Sequence, residues 1–349
     1  MDAEGRDPDP GALARSLAAQ ERLTMALVSP AASTSAPMKM LRFFITPSGA
    51  VWIAIAILLA VAALASDNFV SGDHLLNVAR HAAALCIATV GQVFVIMTGG
   101  LDLSNGAVIT LVSVVASQLL GGSDQYLVPV VLLCLAMGAA VGLFNGLIVA
   151  KLGIPPLIGT LGTFGILKGA AYVLTGGAPK GGIPESIRYV GNGTIAGFPI
   201  STLCALAFVA FGAFLLSRTI FGRQLVFLGA NPSAARLSGV PVARIIILAY
   251  VFSGVSAAFA GLLAVGYTGV GSLSLGEGYN LDSITAAVIG GTALTGGSGS
   301  VVGGAAGVFF LALLTSFLRF LGLSYSGQLI VQGAILAAAV ILQARVFRR

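Results

Sequence analysis

From residue 47 onward the chain repeats one pattern: an apolar run of membrane-spanning length, a short polar break, then another run. A transmembrane helix needs roughly 20 consecutive, mainly apolar residues. Ten such runs can be traced, over residues 47–65, 76–98, 103–120, 127–150, 155–175, 200–216, 245–265, 281–294, 301–321 and 328–342. The eighth is short and flanked by glycine. The pattern predicts an all-α polytopic membrane protein of about ten transmembrane helices, occupying residues 47–344. Residues 176–198 read as a Gly/Pro-rich loop of mixed charge. Residues 1–46 mix acids, bases, Ala and Pro without the apolar core of a secretory signal, which predicts a disordered cytoplasmic tail with a short helix around residues 11–28.

Composition supports this pattern. Of 349 residues, 57% are hydrophobic and 9% charged, where a soluble domain carries about a quarter charged residues. The 47 glycines suit helices packed backbone to backbone. Two ladders, Gly138/Gly142/Gly146 and Gly299/Gly303/Gly307, repeat a small residue every fourth position and predict close helix contacts. Cys86, Cys134 and Cys204 each stand alone in an apolar run, which reads as small buried hydrophobes.

The net charge of +6 sits in short loops and at the C-terminus, a topological signal and not a nucleic-acid footprint. With the N-terminus inside, the inner face receives Lys39, Arg42, Lys151, Arg218, Arg223, Arg236, Arg244, Arg345, Arg348 and Arg349. The outer face receives Lys180 and Arg188, with Glu185 nearby. Ten crossings return residues 345–349 to the cytoplasm. Arg80-His81 is the discordant pair, read as snorkelling to the outer interface or as part of a substrate path.

Residues 217–244 form a polar island with four arginines and no acid. Within it Asn231 suits a helix N-cap, Pro232 the first helical position and Gly239 the left-handed residue that ends a helix. A short capped helix can receive force or a partner; an ordinary positive-inside loop is the plainer reading.

No phosphate-binding GxxxxGK[ST] occurs, since Gly297-Ser298-Gly299-Ser300 lacks the lysine. His74 and His81 form no triad or zinc set. The sequence therefore predicts no catalytic residue, no metal and no cofactor. Ionisable residues near the membrane are few, and each is a candidate for the pathway or a gate. Asp102, followed by Ser104 and Asn105, is placed either to cap the third span or to gate it. Lys168 is placed to neutralise a charge or to line a path. Glu277, Asn280 and Asp282 cluster at the outer entrance to the eighth span, where Glu277 reads as solvated and Asp282 as a cap.

Blocks in order along the chain carry a resemblance: GQVFVI at 91–96, GGLDLSNG at 99–106, GLFNG at 142–146, Ile154-Pro155-Pro156, TLGT at 160–163, Phe221-Gly222-Arg223, GANPSAARLSG at 229–239, residues 278–282, and IGGTALTGGSGSVVGG at 289–304. The chain resembles, over about residues 75–342, the permease subunit of bacterial ABC importers for monosaccharides of the ribose/xylose/galactose type. GGLDLS with AARLSG favours that branch over the amino-acid branch.

The resemblance implies an inner-membrane subunit that pairs with a second permease subunit, identical or different. It also implies two cytoplasmic ATPase subunits and an extracytoplasmic sugar-binding protein. Residues 231–239 (Asn231, Pro232, Ala234, Ala235, Arg236, Leu237, Ser238 and Gly239 among them) would be the coupling helix that docks on the ATPase, supported by Gly222 and Arg223. Asn105 and Asn280 depart from the family's usual small apolar residue and acid, leaving pentoses, hexoses, polyols and autoinducer-like sugars open. An amino-acid permease of the same machine and an autonomous secondary carrier are the alternatives.

Overall fold

The computed structural model describes residues 47–346, so the expected tail over residues 1–46 and the last three residues lie outside the described part. The helices are α1 (Pro47–Ala65), α2 (Gly72–Met97), α3 (Asn105–Leu120), α4 (Leu127–Ala150), α5 (Pro156–Thr175), α6 (Glu185–Asn192), α7 (Ile200–Arg218), α8 (Ile220–Ala230), α9 (Pro232–Leu237), α10 (Val242–Thr268), α11 (Tyr279–Ile289), α12 (Val301–Phe320) and α13 (Tyr325–Val346). Six of the described helices (α2, α4, α5, α7, α10 and α12) are long and apolar enough to cross a membrane. Helices α1, α3 and α8 are apolar but shorter.

Helix α10 is the centre of the bundle, packed against α4, α2 and α3. The first glycine ladder makes this possible. A Cβ on Gly138 would overlap the Gly254 carbonyl, one on Gly142 would overlap the Tyr250 carbonyl, and one on Gly146 would stand 2.7 Å from the Ile247 Cα. Backbone thus touches backbone along α4 and α10, where dispersion forces act at full strength.

The second ladder is only partly helical. Ser300 caps α12, its hydroxyl accepting from the Gly303 N–H at 3.0 Å, so Gly299 precedes the helix and faces Thr292 and Met97 instead. Gly303 and Gly307 do face a helix, α11, against the Gly290 and Ala286 carbonyls.

Three other expectations change. Helix α11 has 11 residues, about 16 Å at ~1.5 Å per residue, roughly half of a ~30 Å hydrocarbon core. It stops where Gly290 meets Gly303 backbone to backbone, and the chain continues unwound through Gly291, Gly296 and Gly297. Residues 281–294 are therefore not a full spanning helix.

Residues 217–244 are also more helical than a loop. Helix α7 runs through Arg218, and Thr219 then caps the new helix α8, its hydroxyl accepting from the Gly222 N–H at 3.2 Å. The apolar stretch Leu225–Leu228 drives that helix inward, with Leu225 and Leu228 fully buried. Finally, residues 176–198 hold α6 and part of a hairpin, Thr194–Ile195 paired with Phe198–Pro199 around Ala196 and Gly197, both at positive φ.

The segments joining helices are stitched at two ends. At one, the Gly182 N–H donates to the Ser117 carbonyl at 3.0 Å, the Gly122 N–H to the Gly182 carbonyl at 3.0 Å, and the Ile183 N–H to the Gly269 carbonyl at 3.2 Å. At the other, the Gly297 N–H donates to the Met97 carbonyl at 3.0 Å. The connector between α10 and α11 is anchored at buried Gly271 and Gly276, while Ser274 and Glu277 are exposed. It lies along α3, where Gly276 and Gly106 meet so closely that a Cβ on either would overlap the other's carbonyl. Cys86 and Cys134 are buried and Cys204 half-buried, all as free thiols.

Gly142→Val should lower stability by at least about 1–3 kcal/mol, the range for overpacked cores, whereas Gly162→Ala, with open space around it, should leave it unchanged or slightly raised. Thermal unfolding of both variants in detergent measures this, and equal melting temperatures would disprove the α4–α10 contact.

Candidate functional site

In the unwound segment 98–104 between α2 and α3, Gly100 and residues 102–104 are buried, and Asp102 organises the segment. One carboxylate oxygen accepts from the Ser104 N–H at 2.9 Å and the Ser104 hydroxyl at 2.6 Å; the other accepts from the Ser253 hydroxyl of α10 at 2.9 Å. The relay continues outward. Asn145 of α4 donates to the Ser104 hydroxyl oxygen at 2.9 Å, and the Thr163 hydroxyl of α5 donates to Asn145 at 2.6 Å. Asp102, Ser104, Asn105 and Asn145 are all at most 1% exposed.

Backbone groups are served in the same way. Thr160 accepts from the Leu103 N–H at 3.1 Å, and the Tyr250 hydroxyl donates to the Leu101 carbonyl at 3.2 Å. With its oxygen on the Asp102 N–H (3.2 Å) and its nitrogen on the Asp102 carbonyl (3.1 Å), the Gln92 amide also meets the Asn105 side chain at 2.7 Å.

Asp102 is therefore not a helix cap. Ser104 occupies the N-cap position of α3 and no side chain bonds that first turn. Of the backbone N–H groups at that helix start, the Asp102 carboxylate reaches only that of Ser104.

Helix α9 has both of its expected ends. The Asn231 side chain accepts from the Ala234 N–H at 2.9 Å, and Pro232 opens the helix. At its C-terminus the Gly239 N–H donates to the Arg236 carbonyl at 3.1 Å and the Val240 N–H to the Ala235 carbonyl at 3.0 Å. This pair of bonds is a Schellman motif, with Gly239 at φ 79. Ala235 is the helix's one buried anchor, while Arg236 is exposed and Leu237 is 90% exposed.

Gly222 sits in the α7–α8 turn against the Leu216 carbonyl, and Arg223 is exposed beside it. Just before α9, Gly229 is wedged so tightly against the Met97 carbonyl and the Gly297 N–H that any Cβ would overlap both. Helix α8, which leads into the exposed helix, thus bears directly on the chain that enters the Asp102 segment.

The remaining candidates separate. Lys168 forms an ion pair with Glu277 at 3.0 Å and donates to the Leu273 carbonyl at 3.1 Å, so Glu277 is paired and not simply solvated. Gly278 is the N-cap of α11, without a side-chain cap; Asp282 lies past that position and faces a cavity beside α2 and α12. Asn280 lies instead near Gly106 of α3. Arg80 and exposed His81 line a cavity of about 80 Å³ with Tyr267 and Tyr279, and the His81 Nε2 is 3.2 Å from the Tyr267 hydroxyl.

Residues 74–340, most of the helical bundle, match the family described as branched-chain amino acid transport system / permease component. The chain belongs to that family. The galactose/methyl galactoside import permease protein MglC of Escherichia coli (strain K12) is 34% identical over 319 residues, covering 86% of this chain and 95% of that protein. The ribose import permease protein RbsC of the same strain is 36% identical over 295 residues, covering 83% and 91%. The RbsC protein of Bacillus subtilis (strain 168) is 35% identical with the same coverage. No solved structure matches the chain.

In this permease the relay includes residues that sequence reasoning missed: Gln92, Asn145, Thr160, Thr163, Tyr250 and Ser253. Gln92 and Asn145 carried a signal, since a polar side chain inside a membrane run needs a partner. Thr160, Thr163 and Ser253 did not, because a hydroxyl in a helix can bond its own backbone.

Ser253→Ala should cost about 1.5–3 kcal/mol, the worth of a hydrogen bond to a charged group. Asp102→Ala should cost more, because it leaves Ser104 and Ser253 donors unpaired. In a double-mutant cycle followed by thermal unfolding, the two changes should couple by about 1–3 kcal/mol; strict additivity would show that the bond contributes nothing.

Proposed function

We propose that this permease is the membrane subunit of an ATP-driven sugar importer. The observation that carries this reading is the rigid, double-capped helix Pro232–Leu237, which offers Arg236 and a nearly fully exposed Leu237 to a partner. An exposed leucine beside an arginine is what a docking surface needs, an apolar anchor with a charged neighbour. The partner is a cytoplasmic ATPase, because the chain has no phosphate-binding motif of its own. Residues 231–239 act as the coupling helix, and Gly222 and Arg223 shape and flank its approach.

The relatives whose names specify ribose and galactose match over most of their length, which supports a monosaccharide or related polyol as cargo over the amino acids in the family's description. The cations support a bacterial inner-membrane topology with ten crossings and both termini cytoplasmic. In that topology the half-length α11 completes its crossing with the unwound residues 290–300. A second permease subunit, identical or different, forms the pathway with this one, and an extracytoplasmic binding protein delivers the sugar.

Closure of the ATPase pair moves α9 as a rigid body, and the Gly229 contact passes that motion to Met97 and Gly297. The Asp102–Ser104–Asn105 segment then acts as a gate, while Lys168, Asn280 and Asp282 belong to the outer half of the pathway.

Co-expressed with its ATPase and binding protein and reconstituted, the permease should support ATP-dependent uptake of a sugar from a panel including D-ribose, D-galactose and D-xylose. Arg236→Glu and Leu237→Asp should each reduce ATPase co-purification by roughly tenfold or more, as expected for hot-spot residues, without loss of membrane insertion. Normal co-purification after deletion of residues 231–239 would defeat the coupling assignment. Uptake that persists without ATP would favour an autonomous carrier.

A further inference from the structure

A cavity of about 440 Å³ opens between α2, α11, α12 and α13, within the size range of small-molecule sites. Its wall is partly apolar but carries several polar side chains. Asn77 and His81 share one face of α2, Tyr279 and Asp282 one face of α11, and Arg319 and Gln332 face them from α12 and α13. Packing does not require all of these groups. His74 is held by the Ser316 hydroxyl at 3.1 Å and Gln332 by the Thr315 hydroxyl at 2.8 Å. Among the described residues, however, the side chains of Asn77, Tyr279, Asp282 and Arg319 form no hydrogen bond or ion pair within the protein.

We propose that this cavity is a binding site for a neutral, polyhydroxylated ligand, a monosaccharide or polyol, on the outer side of the permease. The proposal rests on the sugar-importer reading for its ligand class and adds where in the chain the sugar is held.

The chemistry fits such a ligand. A carboxylate accepts from two neighbouring hydroxyls, a guanidinium fork donates to two adjacent oxygens, and an amide does both. The Tyr279 ring adds an apolar face for the C–H side of a sugar ring. One acid and one base balance, so the site carries no net demand for a charged ligand.

The position suits delivery from outside. Arg319 is in the last turn of α12 and His74 in the first turn of α2, which puts the mouth at the helix ends, with Leu85 further along α2. The cavity is also separate from the Asp102 relay, with which it shares no residue. A sugar held here has left the binding protein but has not reached the gate.

The test uses the full-length permease in liposomes. Ala312 lines the cavity, and Ala312→Cys should react with a membrane-impermeant thiol reagent, with the modified site identified by peptide mass spectrometry. Millimolar D-ribose or D-galactose should slow that reaction at least about twofold, and L-leucine should not. Asp282→Asn and Arg319→Gln, with unchanged thermal stability, should weaken the protection by about tenfold in sugar concentration, as expected for losing a charged hydrogen bond.

If the reconstituted importer takes up D-ribose or D-galactose yet neither sugar protects Cys at 312, this site is wrong and the transport reading stands. Protection by L-leucine but not by either sugar would overturn both. Protection that survives both substitutions would place the sugar elsewhere.

Discussion

Backbone that leaves its helix inside an apolar bundle has no water to turn to, so each amide and carbonyl it frees must find a partner in the protein. The Thr98–Ser104 segment meets that demand, and the Asp102 carboxylate is its keystone. A buried carboxylate costs several kcal/mol on its own. Three donors, two from Ser104 and one from Ser253, offset this cost. Because the same oxygens tie the segment to α10, and Asn145 and Thr163 extend the tie to α4 and α5, four parts of the chain share one register. A change in any of them must break or move a bond in a low-dielectric interior, where an unpaired partner is expensive. Such a network favours discrete arrangements over gradual deformation.

Glycine supplies the complementary constraint. Where α4 meets α10, Gly106 meets Gly276, and Gly229 meets Met97 and Gly297, the contacts are backbone on backbone. Side chains hop between rotamers and absorb small motions; a carbonyl against a Cα has no such slack. The Gly229 contact therefore leaves Met97 little slack, and Met97 is the last residue of α2 before the Asp102 segment begins. Rigid contacts and a brittle polar joint lie in series. That combination is what a part driven from outside requires, and it suits a chain without a GxxxxGK[ST] motif.

Legibility in the sequence followed the strength of the local signal. The runs at 47–65, 127–150 and 301–321 fall within a residue of α1, α4 and α12 because nothing competes with 20 apolar residues in a row. The ends of α9 were readable because Asn, Pro and Gly each have one strong reason to stand where they do. Helix α11 was misjudged for the opposite reason. Hydropathy continues through Ala293 and Leu294, but the Gly290–Gly303 contact, made with the first turn of the next helix, ends the helix early. Gly299 shares the ladder's spacing with Gly303 and Gly307, and spacing alone cannot see that Ser300 is the cap. Lys168 and Glu277 stand more than a hundred residues apart, and only the fold brings them to 3.0 Å. Arg319 and Gln332 carried no motif at all; their role depends on which helices surround them.

The polar groups of the membrane domain fall into two sets with different physical characters. Around Asp102 nearly every group is paired and sealed from solvent, so the set is structural and can only switch by exchanging partners. Around Asp282 and Arg319 the groups are open and unpaired, so the set has spare capacity for a visitor. A transport protein needs both, because a sealed network cannot receive cargo and an open one cannot hold a barrier. Their separation also assigns direction. The open set lies by the mouth formed by the first turn of α2 and the last turn of α12, and the sealed set lies next to Met97 and Gly229, where the exposed helix α9 connects. Under the proposed function, cargo enters by the open set and force is applied beside the sealed one.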